Sequence, residues 1–296
     1  MHLLAAPAAV TAAPSGMPPP AIAAVLAAAL THAVWNALAH AVRDKLTMAA
    51  LMGAGSAVLA VPLVLLAPPP AAGAWPYIIA SAILHVGYNG LLLLSYRLGE
   101  FSQVYPVARG TSPWLVGIAG ALFAGDRLSP LGWAGVAVVS AGLMSLVLAG
   151  GYRPTRADVP ALAAALGTGV AIASYTVVDG LGVRQSGSAP SYAGWLFLIE
   201  GALTLLVALP LRRRGRWRVA GAWRTGAACA ALSILAYGLV LWAQTQGALA
   251  PVAALRETSV IAGAIIGAVF FREAFGRGRI VGAAIVAAGI TLINLG

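Results

Sequence analysis

Apolar residues along this chain gather into ten blocks, each about 20 residues long and separated by short polar or proline- and glycine-rich stretches. A helix of about 20 apolar residues crosses the hydrocarbon core of a bilayer and satisfies its own backbone hydrogen bonds there. The pattern therefore predicts an all-α integral membrane protein. The ten predicted transmembrane helices are residues 19–41, 46–67, 75–97, 101–124, 131–149, 158–180, 189–211, 220–245, 249–271 and 276–294.

The second half of the sequence repeats the first. The segment Arg109-Gly-Thr-Ser112 aligns with Arg256-Glu-Thr-Ser259 at a shift of 147 residues, and the same shift pairs Gly135 with Gly282. Each copy holds five spans, and an odd number of spans makes the second copy enter the membrane in the opposite direction. The sequence thus predicts two inverted five-helix repeats, at 19–149 and 158–294, after a disordered tail at 1–18.

Composition excludes a soluble globular protein. Hydrophobic residues make up 60% of the chain and charged residues only 9%, whereas about a quarter of a soluble domain is charged. The net charge of +10 does not indicate nucleic-acid binding, because most arginines lie between the predicted spans. The single cysteine, Cys229, lies within a span and can form no intrachain disulfide. No phosphate-binding loop, dinucleotide glycine motif or metal-ligand cluster is present, so we expect no enzyme, no cofactor and no metal.

Loop charges give an expected orientation. Fourteen lysines and arginines fall on the side that holds the loops after spans 1, 3, 5, 7 and 9, while the other side has Arg127 and Arg184. Positively charged loops favour the cytoplasm, so the bias predicts that both termini lie outside it.

Two arginines lie within spans, at equivalent places in the two repeats. Arg109 is about eight residues into its span, roughly 12 Å along a helix. An ionised arginine at that depth is costly and usually faces a cavity or a partner. One hypothesis is that Arg109 and Arg256 form a cationic centre for a carboxylate or a phosphate-like group. The alternative is that each pairs with a fixed acid, Glu257, Glu200 or Asp179, and only ties helices together.

Polar and aromatic side chains form stripes on the same spans. His32, Asn36 and His40 are spaced four residues apart, so they share one helix face. Such stripes normally face the interior of a helix bundle. Histidines beside acids also raise the hypothesis of proton coupling through Glu257, Glu200 or Asp179. The remaining candidate substrate-binding residues are Tyr105, Trp35, His85, Tyr88, Asn89, Tyr175 and Tyr237.

Prolines and charges mark two further features of the fourth span. Pro106 and Pro113 flank Arg109, and each removes a backbone donor, which predicts either a broken helix near a binding site or a simple kink. Asp126 and Arg127 at the end of this span, like Arg272 and Glu273 after the ninth, are expected to anchor helix ends at the membrane interface, with gating as the lesser alternative.

The sequence resembles the EamA family of the drug/metabolite transporter superfamily. The resemblance is carried by Ser95–Gly99, Val104–Gly110, Gly125–Ser129 and Leu131–Gly135, with a second copy of the signature from Phe271 to Gly289. It implies ten helices in two inverted EamA repeats and a central cavity lined by helices 1, 3, 4, 6, 8 and 9, with helices 5 and 10 at the edges. The family is described with both termini in the cytoplasm, opposite to the loop charges.

These observations predict a secondary transporter that exports a small metabolite by alternating access between the repeats. The arginines favour an anionic or zwitterionic solute such as an amino acid or an organic acid. Efflux of drugs or aromatic cations, and passive facilitation without ion coupling, are the alternatives. We expect a small-molecule substrate, a lipid bilayer as the surroundings, proton coupling as an option, no nucleic acid, and a monomer or homodimer. The abundance of Ala and Arg suggests the inner membrane of a bacterium with a GC-rich genome.

Overall fold

The computed structural model describes residues 17–149, 155–211, 219, 221–270 and 277–295, and these residues form helices and turns without a strand. We number the α-helices α1 to α11 in chain order. They are α1 Pro19–Ala41, α2 Lys45–Leu66, α3 Trp75–Leu98, α4 Phe101–Phe123, α5 Pro130–Ala149, α6 Val159–Ser186, α7 Ala189–Leu211, α8 Trp223–Gln244, α9 Leu249–Arg256, α10 Thr258–Phe270 and α11 Arg277–Leu295.

Local sequence explains where several helices begin and end. Proline stands in the first turn of α1, α3 and α6, where its missing N–H costs nothing. Asp44 precedes α2 and accepts a hydrogen bond from the backbone N–H of Thr47 at 3.1 Å. Gly187 ends α6 with a φ of 74°, the left-handed conformation that glycine adopts without strain.

Seven helical segments of the described ranges are long and apolar enough to cross a membrane, and they contain α1, α2, α3, α5, α6, α7 and α8. Large apolar side chains cover their outer surfaces. Leu65 and Leu66, at the end of α2, are 76% and 86% exposed, as lipid-facing residues would be. Four of the described helices do not qualify by the same measure. α4 carries Arg109 and two prolines, α9 and α10 are too short singly, and the apolar part of α11, Ile280–Leu295, is also shorter.

The structure differs from the predicted spans in three places. The ninth span is not one helix, because a turn at Glu257 separates α9 from α10. The sixth continues to Ser186, six residues past its predicted end. Met17, assigned to the disordered tail, is buried in a cluster with Val25 and Val240, while residues 1–16 lie outside the described part of the chain. The fourth span stays one helix, α4, through Pro106 and Pro113, so the helix is not broken there.

Helices α5 and α11 pack closely and run antiparallel. A Cβ atom added to Gly135 of α5 would lie 2.6 Å from the carbonyl oxygen of Gly289 of α11. One added to Gly282 would lie 3.3 Å from the carbonyl oxygen of Gly142. The early glycine of each helix therefore meets the late glycine of the other, and small residues let the two backbones approach.

Helix α9 lies in the interior of the helix bundle. α2 packs on α7, α1 on α8 and α10, and α6 on α3 and α4. Every residue of α9 from Leu249 to Arg256 is buried, and its neighbours are α1, α4, α5, α6, α8, α10 and α11. The end of α9 consequently brings its two charged residues, Arg256 and Glu257, into the centre of the protein.

Candidate functional site

Arg109 lies in the middle of α4 and is 4% exposed. Its Nη1 donates to the carboxylate of Glu257, at 3.2 Å from Oε1 and 3.5 Å from Oε2. Its Nη2 lies 2.8 Å from Nε2 of His32 on α1, which accepts this hydrogen bond because an arginine can only donate. One turn earlier, the ring of Tyr105 is 5.3 Å from the guanidinium carbon. Arg109 thus links α1, α4 and the end of α9.

Arg256, which aligns with Arg109 in sequence, has different partners. It is the last residue of α9, where the helix dipole favours a cation, and it is 5% exposed. Its Nε is 3.9 Å from Oε1 of Glu257, which is an ion-pair distance but too long for a hydrogen bond. Nε and Nη2 are buried and find no acceptor among the described residues. Its guanidinium carbon lies 6.0 Å from the ring of Tyr175.

Tyr175 of α6 is the centre of an aromatic cluster. Its ring stacks on His85 of α3 with centroids 4.0 Å apart. The rings of Tyr88 and Tyr237 meet it edge-on at 5.5 and 6.2 Å. A buried aromatic wall therefore stands beside the unpaired donors of Arg256.

Trp35 of α1 extends this surface. Its ring meets that of His32 edge-on at 4.8 Å, and its Nε1 is buried without an acceptor among the described residues. Cys229 of α8 donates to the backbone carbonyl of Trp35 at 3.5 Å, so the small side chain of the cysteine packs α8 against α1.

A buried acid lies on the other side of Tyr175. Asp179 of α6 is completely buried and accepts hydrogen bonds from two phenols, Tyr192 at 2.9 Å and Tyr237. Sequence analysis missed Tyr192. Only its place within an apolar span could have drawn attention to it, because no spacing relates it to Asp179.

The structure does not bring every predicted residue into contact. Asn36 and Glu200 are half-buried and Asn89 is exposed, and none of the three hydrogen-bonds to a described residue. The side chain of His40 lies outside the described part of the structure. Within that part, no group of three or more His, Cys, Asp or Glu side chains is arranged to hold a metal ion.

A second polar cluster ties one end of the helix bundle together. Arg184, near the end of α6, donates to Oδ1 of Asp126 at 3.2 Å and to the backbone carbonyls of Gln244 and Gly247 at 2.9 and 2.7 Å. The other carboxylate oxygen of Asp126 accepts the backbone N–H of Leu249 at 2.6 Å. We call these residues the Arg184 clamp. It joins the α4–α5 loop to the α8–α9 turn, and a cavity of about 350 Å³ adjoins it.

The clamp revises the prediction for the end of the fourth span. Asp126 pairs with Arg184, 58 residues away, while its neighbour Arg127 is exposed. The anchoring is therefore tertiary rather than local. Arg272 and Glu273, predicted to play the same part at the end of the ninth span, lie outside the described residues.

Comparison with known proteins finds a family match in the second half of the chain. The model of the EamA-like transporter family matches residues 159–295, which include α6 to α11. Over these residues the match confirms the resemblance predicted from the sequence. The described helices that are long and apolar enough to cross a membrane fit a multi-pass membrane protein.

A solved structure, titled only "Crystal structure of protein", shares the fold of this chain. It superposes with a TM-score of 0.74 at 20% sequence identity, over 93% of this chain and 96% of its own. No curated protein matches the sequence. The family matched by residues 159–295 is a family of membrane transporters.

Proposed function

We propose that this EamA-like protein carries a small organic carboxylate, anionic or zwitterionic, and that Arg256 binds the carboxyl group of the solute. The observation that carries the proposal is the pair of buried Arg256 donors, Nε and Nη2, without an acceptor in the described structure. A buried donor that makes no hydrogen bond costs about 1–3 kcal/mol, and more when it is charged. A carboxylate would remove that cost, because its two oxygens match the planar guanidinium group.

The two arginines have separate roles in this proposal. Arg109 already has the carboxylate of Glu257 at 3.2 Å and the ring of His32 at 2.8 Å, so it braces α1, α4 and α9. Arg256 shares the same acid only at 3.9 Å and keeps its donors available. Trp35 Nε1 is a further available donor beside His32, and Tyr175 offers a ring surface to an apolar or aromatic part of the solute.

The protein is proposed to consist of ten transmembrane helices in two inverted halves, 19–149 and 158–294, with α9 and α10 together forming the ninth. Helix packing supports this arrangement. The pair α1 with α8 is matched by the pair α6 with α3, as a twofold relation between the halves requires. The crossed contacts of Gly135 with Gly289 and of Gly142 with Gly282 have the same symmetry. The central site then lies where the halves meet, as in other transporters built from inverted repeats.

Transport is proposed to proceed outward by alternating access across a bacterial inner membrane, with the protein acting as a monomer or a homodimer. The Arg184 clamp supports alternating access, because it closes one end of the bundle with polar contacts that can be broken and remade. Efflux of aromatic cations is the second candidate. Its support is the aromatic cluster around Tyr175 together with the buried acid Asp179, which a cation could approach.

The binding experiment uses the full-length protein in detergent and three probes of similar shape: phenylacetate, phenylalanine and phenethylamine. We expect phenylacetate, phenylalanine or both to raise the melting temperature, since a ligand at ten times its Kd stabilises the folded state by about 1.4 kcal/mol. Arg256→Gln should abolish that rise. Arg224→Gln is the matched control, because Arg224 is exposed on α8 and should leave the rise unchanged.

Two outcomes would contradict the proposal. Stabilisation by the carboxylates that persists in Arg256→Gln would place the anion elsewhere. Stabilisation by phenethylamine alone would instead favour the aromatic-cation alternative. Uptake of radiolabelled probe into proteoliposomes then separates a transported solute from one that only binds.

A further inference from the structure

The carboxyl group of Asp179 differs from those of Glu257 and Asp126 in having no arginine partner among the described residues. Glu257 has Arg109 at 3.2 Å, and Asp126 has Arg184 at 3.2 Å. Both oxygens of Asp179 instead accept from phenols, those of Tyr192 and Tyr237, and no lysine or arginine in the described ranges forms an ion pair with it. A carboxylate buried without a cation is expensive, whereas a protonated carboxyl group needs only hydrogen bonds.

Most of the polar side chains around Asp179 can bind or release a proton. His85 and Ser81 face it from α3, Tyr192 and Glu200 from α7, and Tyr237 from α8. On α6 itself, Tyr175 lies one turn before Asp179 and is the nearest link to Arg256 of α9. The Nδ1 atom of His85 is 3.0 Å from the backbone carbonyl of Ser81 and 3.1 Å from the Ser81 hydroxyl.

We propose that Asp179 is the proton-binding site of this transporter and that its protonation is coupled to carboxylate binding at Arg256 through Tyr237 and Tyr175. The inference rests on the proposed function for its cargo, but the proton site itself does not depend on which solute moves. No bond other than a hydrogen bond changes. A proton from water adds to one oxygen of Asp179, and the same proton leaves when the site is exposed to the opposite side.

The hydrogen bond between Tyr237 and Asp179 supplies the coupling. When Asp179 is a carboxylate, the Tyr237 hydroxyl must donate to it. When Asp179 is protonated, the carboxyl group can donate to Tyr237, and the phenolic hydrogen then turns to another acceptor. The ring of Tyr237 is 6.2 Å from that of Tyr175, which in turn lies 6.0 Å from the guanidinium carbon of Arg256. Protonation thus changes the hydrogen bonding next to the proposed carboxylate site.

Charge gives the direction of this coupling. Binding a monoanion at Arg256 adds one negative charge to a buried cluster, and binding a proton at Asp179 removes one. A net charge inside a membrane is costly. The free-energy barrier to the conformational change should therefore be lowest when the proton and the carboxylate are bound together. The geometry therefore favours movement of the proton and the carboxylate in the same direction, which also fits export driven by a high internal concentration of solute.

The first experiment needs no solute. Infrared spectra of the purified full-length protein, recorded over a pH series, report the carbonyl stretch of a protonated carboxylic acid. We expect a titrating band in the wild type that is lost in Asp179→Asn and retained in Glu200→Gln and in Glu257→Gln. Tyr237→Phe should keep the band but move its midpoint, because one partner of the same group is removed. A band that survives in Asp179→Asn, or that disappears in Glu200→Gln, overturns the assignment.

The second experiment tests the coupling in proteoliposomes with radiolabelled phenylacetate. With an imposed inward proton gradient, the wild type should accumulate phenylacetate faster than protein-free vesicles, which measure passive entry of phenylacetic acid, while Asp179→Asn should not exceed the protein-free rate. Accumulation by Asp179→Asn equal to wild type overturns the coupling. If no variant moves phenylacetate while the infrared band still follows Asp179, the proposed cargo fails and the proton site stands.

Discussion

At the scale of single residues, the two aligned arginines, Arg109 and Arg256, have different surroundings. Arg109 is followed by Gly110 and Arg256 by Glu257, and that one difference places a carboxylate between the two guanidinium groups. The acid lies closer to Arg109, the arginine of the opposite half, than to its own neighbour in sequence. Arg256 therefore keeps two donors, Nε and Nη2, without an acceptor among the described residues.

Removing the shared acid should expose the cost of two buried cations. We expect Glu257→Gln to lower the free energy of unfolding by about 3 kcal/mol or more, because it leaves Arg109 and Arg256 without their carboxylate. Glu100→Gln is the matched control, since Glu100 is exposed at the start of α4 and should change the stability by less than about 0.5 kcal/mol. Thermal unfolding of the detergent-purified variants measures both.

A double substitution tests whether the lost stability comes from leaving the arginines without their carboxylate. Arg109→Gln with Glu257→Gln removes one charge of each sign, so it should recover part of the stability that Glu257→Gln alone has lost. If Glu257→Gln is as stable as Glu100→Gln, the ion pair does not hold the centre together and the assignment of Arg109 as a brace is wrong.

Sequence patterns predicted which residues meet at the centre but not how they pair. Helical spacing and the repeat pointed to Arg109, Arg256 and Tyr175, and the structure places all three within one cluster. Which arginine takes Glu257 depends on how α4 and α9 are spaced across the bundle, and periodicity carries no such distance. The partner of Asp126 was misjudged for the same reason, because Arg184 reaches it from the end of a helix that continues past its predicted end.

At the scale of elements, the apolar blocks predicted where helices form. They did not predict which of these helices are interrupted. Pro106 and Pro113 predicted either a break or a kink in the fourth span, and α4 is continuous. The ninth span is interrupted instead, at Glu257, where no proline stands. A proline removes one hydrogen bond but can be accommodated by neighbouring helices and by a kink. The turn at Glu257 coincides with its buried carboxylate, which lies between Arg109 and Arg256.

Close packing of α5 on α11 gives a prediction at this scale. Gly135→Ala should destabilise the protein by about 1–3 kcal/mol, because the added Cβ would lie 2.6 Å from the carbonyl oxygen of Gly289 and the helices must separate. Gly263→Ala on α10 is the matched control, since a Cβ there meets nothing within 4 Å and alanine favours the helix. Melting temperatures of the two variants make the comparison.

Gly135→Ala should leave the candidate binding site unchanged. Neither α5 nor α11 contributes a candidate site residue, so folded Gly135→Ala protein should bind phenylacetate with the affinity of wild type. A loss of affinity at unchanged stability would mean that the α5–α11 pair shapes the site rather than the scaffold.

At the scale of the whole molecule, the Arg184 clamp makes the two ends of the bundle unequal. Alternating access requires the end held by Asp126, Arg184 and Leu249 to open in one state and close in the other. The clamp consists of charge-assisted hydrogen bonds, and loss of one worth about 1.5 kcal/mol shifts a two-state equilibrium by about tenfold. Weakening it should therefore increase the population in which the centre is reached from this end.

Thiol labelling can measure that population. In a Cys229→Ala background, a cysteine in place of Thr176 lies next to Tyr175 and eight residues before Arg184, in a completely buried position. We expect Arg184→Gln to raise the rate at which a membrane-impermeant maleimide reaches this cysteine from the clamp end of sealed vesicles by about tenfold. Arg127→Gln removes an exposed charge from the same end and should leave the rate unchanged. Equal labelling of the two variants would show that the clamp does not hold this end shut, and a rise from the opposite end only would show that breaking it closes the path instead.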